Sequence, residues 1–111
     1  MKNNQRINQY RNKELDLERK LIKKASDVVG DDILKRCRKT EYVIARICVG
    51  YLTYKYTILT YQEIANELNI HHATLIYYID KVNRGENFAR FQRFYIDTFN
   101  LLKKEIEITN N

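Results

Sequence analysis

The 111-residue chain is 44% apolar, with three glycines and no proline or tryptophan. That is enough for one compact domain and too little for two. So few turn residues exclude an all-β chain and favour long helices with short connections. Apolar stretches of a few residues fall far short of the ~20 needed to cross a bilayer, and Met1 to Lys20 are too polar for a signal peptide, so a soluble, cytoplasmic protein without a membrane partner is expected.

Twenty Lys and Arg against fourteen Asp and Glu give +6. Residues 1–40 hold twelve basic and six acidic side chains, and residues 41–111 hold eight of each. The whole excess thus lies in one segment, which points to a polyanion more than a uniform surplus would. A solvated helix face is the plainer reading of any one charge run. Cys37 and Cys48 match no metal-ligand spacing. Cys48 falls on an apolar stripe and reads as core, while Cys37 sits in a basic run with no chemical partner in view.

Residues 5–29 place Ile7, Tyr10, Leu17, Leu21, Ala25 and Val28 at helical spacing, with Asp16 and Lys20 as an ion pair and Gly30 as the stop. Asp31 and Asp32 suit the start of a short helix, Ile33 to Arg38. Thr40 caps a helix running to about Tyr56, whose inner face is Val43 or Ile44, Ile47, Cys48, Tyr51 and Leu52. Thr60-Tyr61-Gln62-Glu63 has the pattern of a capping box, and Ile64, Ala65 and Leu68 follow at helical spacing. After a turn at Asn69-Ile70, a helix from His71 or His72 to about Asn83 buries Leu75, Tyr78, Ile79 and Val82. The last helix, about 87–107, carries Phe88, Phe91, Tyr95, Thr98 or Phe99, Leu102 and Ile106.

Gln62 to Val82 reads as a helix-turn-helix. Ala65 is the small residue where the helices touch, Asn69 tolerates left-handed backbone, and Ile70 fills the space between them. In such a unit the second helix enters the major groove, with residues near its N-terminus at the base edges. Those are His71, His72, Ala73 and Thr74, then Ile76 and Tyr77 one turn on. Histidine and threonine can hydrogen-bond bases or phosphates, and Ala73 can pack on a thymine methyl. Adjacent histidines on a helix diverge by about 100° and no third ligand is near, so neither a metal nor any other cofactor is expected.

These residues carry a family resemblance. From Asp32 to about Leu102 the chain resembles the C-terminal DNA-binding domain (domain IV) of the bacterial replication initiator DnaA, a helix-turn-helix similar in fold to the Trp repressor. The matching stretches run from Asp32 to Arg38, then Ala45-Arg46 followed by Gly50-Tyr51-Leu52. They continue with Thr60 to Ala65, His72-Ala73-Thr74-Leu75 and Asp80-Lys81-Val82. The resemblance implies an all-α domain over 31–108; the basic amphipathic helix over 1–30, read from its spacing, is extra to it. The resemblance also implies that Arg46 reaches the minor groove, that Lys35 to Lys39 hold the backbone, and that His72 and Thr74 read the major groove. His71 and Ala73 stand where the family has aspartate and threonine, and the turn is one residue shorter, so the family's target box does not transfer.

The expected DNA-contacting residues are Lys35, Arg36, Arg38, Lys39, Arg46, Thr60, His71, His72, Ala73, Thr74 and Tyr77. Double-stranded DNA is the expected partner, for a regulator or accessory factor in replication or transcription. No Gly-x-x-x-x-Gly-Lys-Ser/Thr loop occurs in these residues, so nucleotide loading is not expected. The alternative is a protein-interaction module that keeps the fold, with the 5–29 helix offering a surface for a partner or for self-association. An enzyme is not expected: Glu63, Glu67, His71 and His72 are explained by capping and groove contact, and no nucleophile motif is present.

Overall fold

A computed structural model describes residues 2–109, with side chains from residue 9 onward. Five helices follow one another: α1 (Lys2–Val29), α2 (Thr40–Tyr56), α3 (Tyr61–Glu67), α4 (His72–Asn83) and α5 (Gln92–Thr109), the last preceded by a 3-10 turn at Ala89–Phe91. No strand occurs among the described residues.

The central helix is α2, with Ile44 through Gly50, Leu52 and Thr53 all buried. Residues buried almost all round cannot form an amphipathic stripe, so α2 has neighbours on every side: α1, α4 and α5 pack against it, with α3 bridging. Leu21 and Ala25 from α1, Ile64 and Leu68 from α3, Leu75 from α4, and Leu102 and Ile106 from α5 complete one core. Each fully buried Leu or Ile stabilises this core by about 1.5–3 kcal/mol. Gly50 is where α2 comes closest to the helix-turn-helix: a Cβ there would stand 2.7 Å from Leu75 Cδ1. The small-residue contact assigned to Ala65, itself fully buried, is therefore shared with a second position on α2.

Because Leu17, Leu21, Ile22 and Ala25 lie in that same core, the break at Gly30 ends a helix without separating two packing units. The side chain of Ile7 lies outside the described residues; Tyr10, placed on the same stripe, is exposed. Asp16 pairs with Arg19 at 3.5 Å instead of with Lys20.

Two expected elements differ. Residues 33–38 form turns, not a short helix. Asp32 does accept the amide of Leu34 as a cap would, but the carbonyls of Ile33, Lys35 and Cys37 all point to the side chain of Arg46. A helix would commit those carbonyls to amides four residues on. The last helix begins at Gln92 instead of 87, because Phe88 and Ala89 adopt φ of 60° and 49°, held by Glu86 and Asn87 side chains on their amides. Phe88, Phe91, Phe94, Tyr95 and Phe99 still pack on the core.

Candidate nucleic-acid interface

Local chemistry sets the helix-turn-helix. Thr60 Oγ1 accepts the amide of Glu63 at 3.1 Å, and the Glu63 carboxylate accepts the amide of Thr60 at 3.0 Å, closing the capping box that starts α3. That contact to the Thr60 amide, ahead of the Arg11 charge, holds the Glu63 carboxyl below its ordinary range. α3 ends where Asn69 takes φ 58°, and the Ile70 amide turns back to the Ala65 carbonyl. His71 caps α4: its Nδ1 accepts the Ala73 amide at 3.1 Å.

Beside this turn lies the basic loop. Arg46 donates from Nε to the Ile33 carbonyl at 2.6 Å, and from Nη2 to the carbonyls of Lys35 at 2.6 Å and Cys37 at 2.7 Å. Only 8% of the residue is exposed. The Arg46 guanidinium, expected at a minor groove, is held here against the loop backbone. A planar donor fork suits three converging carbonyls, and their partial charges offset the cost of burying the cation. Tyr78 stands against the same group: burial raises its phenol, and the charge and hydrogen bond of Arg46 pull it back.

The loop is also tied at its start. Asp31 accepts from Lys35 Nζ at 2.8 Å, from the Tyr42 hydroxyl at 2.7 Å and from the Asp32 amide at 2.8 Å. These three bonds, led by that of Lys35, hold the Asp31 carboxyl down to about 2, and the bond that Tyr42 donates to Asp31 pushes the Tyr42 phenol up to about 12. Lys35 therefore has its charge partnered, whereas Arg36 and Arg38 are exposed and have no carboxylate partner among the described residues.

A cleft of about 420 Å³ joins the two features. Leu34 to Arg38, Val43 and Arg46 line one side, and Leu68 to His71, Thr74 and Tyr78 line the other. Of the eleven expected residues, Lys35, Arg36, Arg38, Arg46, His71 and Thr74 thus surround one space. His72, Ala73 and Tyr77 are exposed further along α4, with Lys81 Nζ 5.3 Å from the centre of the Tyr77 ring. Lys39 is exposed at the start of α2. Thr60 is not brought to the cleft; it borders a separate surface with Tyr54, Ile58 and Tyr61. Asn69, singled out only for its backbone, also lines the cleft, and its place in the turn leading into α4 was the available signal.

Much of the basic excess of residues 1–40 is spent elsewhere. Arg11 pairs with Glu63 at 2.9 Å, Arg19 forks onto Glu67 at 2.9 and 3.0 Å, and Lys24 reaches Glu105 at 3.8 Å. These pairs fasten α1 to α3 and α5. Among the described residues no group of three metal-binding side chains occurs, and no helix is long and apolar enough to cross a membrane.

A family model described as the bacterial DnaA protein helix-turn-helix matches residues 19–82. The match takes in the second half of α1, the basic loop and α2 to α4, more than half of the chain, and stops before α5. No curated protein and no solved structure gives a match.

Proposed function

The chain belongs to the bacterial DnaA helix-turn-helix family, and on that premise we propose that it binds double-stranded DNA through the face containing the cleft. The leading end of α4 enters the major groove, while Arg36 and Arg38 grip the phosphates beside it. Arg46 acts from behind, shaping the loop that presents those two arginines. The observation that carries this reading is the cleft itself, which has unpaired cations on one rim and the exposed start of a recognition helix on the other.

These 111 residues contain no phosphate-binding loop, and their family's helix-turn-helix domain is not catalytic. On this reading their contribution to replication or transcription is occupancy: holding a site, or denying it to another protein. A protein partner is the second reading, favoured by the exposed apolar surface of Tyr54, Ile58 and Tyr61 outside the cleft. The α1 face of Leu17, Leu21 and Ala25 is already covered by the chain's own core, so self-association would use other residues.

Fluorescence anisotropy on a labelled duplex between 50 and 200 mM salt tests the proposal. Binding should weaken steeply with salt, and Arg36→Ala with Arg38→Ala should flatten the log–log slope by about 0.9 for each phosphate no longer neutralised. An unchanged slope in the double variant, or no binding by the natural chain, would count against it.

A further inference from the structure

We infer that His71 fixes one position of the target by donating a hydrogen bond from Nε2 to a purine, an inference that rests on the duplex-binding reading above. Because Nδ1 accepts the Ala73 amide at 3.1 Å, it cannot carry the ring proton. In the neutral imidazole the proton is then on Nε2, at the outer end of the ring. The His71 side chain is exposed and borders the cleft next to the basic loop. The His72 ring lies against it, with centroids 4.3 Å apart. Turning Nδ1 outward would break the cap, so the tip of His71 offers a donor and no acceptor.

Base edges in the major groove distinguish such a tip. Purines present the N7 acceptor at the groove edge, joined by O6 on guanine; thymine presents a single O4 acceptor beside its C5-methyl, and cytosine presents an amino donor. A donor-only group accordingly rejects cytosine, and favours the open N7 edge of a purine over the methyl-flanked O4 of thymine. An aspartate would reverse this: one oxygen caps the helix equally well, and the other accepts from the cytosine amino group. Cap and reader are the same side chain, so the helix start dictates the chemistry offered to the base. Ala73, Ile76 and Tyr77, exposed alongside, contribute mainly apolar contact and do not duplicate this donor.

Selection from a random duplex pool, run on the full chain, tests the assignment with His71→Asp and His71→Ser. Both substitutes are capping residues, and matching thermal melts establish that the variants fold. The natural chain should select a purine at one position, His71→Asp should replace it with cytosine, and His71→Ser should leave it undefined, with the rest of the site unchanged. Replacing that purine with its 7-deaza analogue should weaken binding by the natural chain roughly five-fold and leave His71→Ser unaffected. Identical selected sites for all three proteins, or full affinity for the 7-deaza duplex, would overturn the inference and leave duplex binding standing. Failure of the natural chain to retain any duplex would overturn both, starting with the reading beneath it.

Discussion

Two regions of this molecule hold arginines in opposite ways. Between α1 and α3, Arg11 and Arg19 meet Glu63 and Glu67 head to head, so their charges cancel and the helices are fastened. At the basic loop, Arg46 spends its donors on neutral carbonyls, which folds the backbone without cancelling any neighbouring cation. Arg36 and Arg38 thereby stay available to a polyanion. Net charge along a segment is a poor guide to where a polyanion docks; what matters is which cations the fold leaves without a carboxylate.

The largest effect that would break this comparison is expected at Arg46. Arg46→Ala frees three loop carbonyls at once, and a drop of about 4 kcal/mol in urea unfolding is expected, together with loss of duplex binding. Arg46→Lys should recover little, because an ammonium does not reproduce the fork. A variant as stable as the natural chain would show that the loop does not need this brace. An arginine that only touched a groove would instead give a stable variant defective in binding alone.

Next in size is Glu18, buried beside the α1–α3 seam with both carboxylate oxygens unbonded. Burial first, then the charge of Glu67, raises its carboxyl from 4.5 to about 9 against the pull of Arg19. A raised carboxyl favours the folded state below its ordinary range, and that contribution is lost as pH rises toward 9. At pH 7, keeping the proton costs about 3 kcal/mol relative to an unfolded chain that ionises at 4.5. Glu18→Gln should raise stability near neutrality by about 2 kcal/mol and flatten the decline in melting temperature between pH 5 and 9. A flat profile in the natural chain would contradict this. Asp31 acts in the opposite sense at the acid end: held down to about 2, it supports the fold above its ordinary range and loses that support as pH falls toward 2.

Smaller changes separate the two uses of charge. Arg36→Ala and Arg38→Ala should each weaken duplex binding about ten-fold with no change in melting, since neither bonds the fold. Arg19→Ala should do the reverse, lowering the melting temperature only slightly, as loss of an exposed pair does, with binding unchanged. If Arg19→Ala weakened binding as much as Arg38→Ala, the division between the seam and the loop would fail.

What the sequence made legible was local. Thr60 and Glu63 announce the start of α3, Asn69 its left-handed exit, and the spacing of Leu75, Tyr78 and Ile79 the inner face of α4, because each depends on residues within one or two turns. The linked stretches around Arg46, Thr60 and His72 carried the family. The failures came from long-range partners. Two aspartates look like the start of a helix at residue 33 until Arg46, thirteen residues on, claims the carbonyls. Glu18 lies off the apolar stripe read for its helix, and only the packing of α1 puts it inside. Gly50 carries no warning that Leu75 will press against it. The resemblance placed Arg46 at the minor groove; neither its bonds to the carbonyls of the loop nor the burial of its guanidinium could be read from that match.

The most direct measurement is the backbone amide NMR spectrum of the isotope-labelled chain during titration with a duplex. The account predicts that signals from 34–38 and 69–77 shift together, with 54–61 and the α1–α3 seam nearly still. Shifts concentrated at Tyr54 to Tyr61, with the cleft residues unmoved, would contradict it.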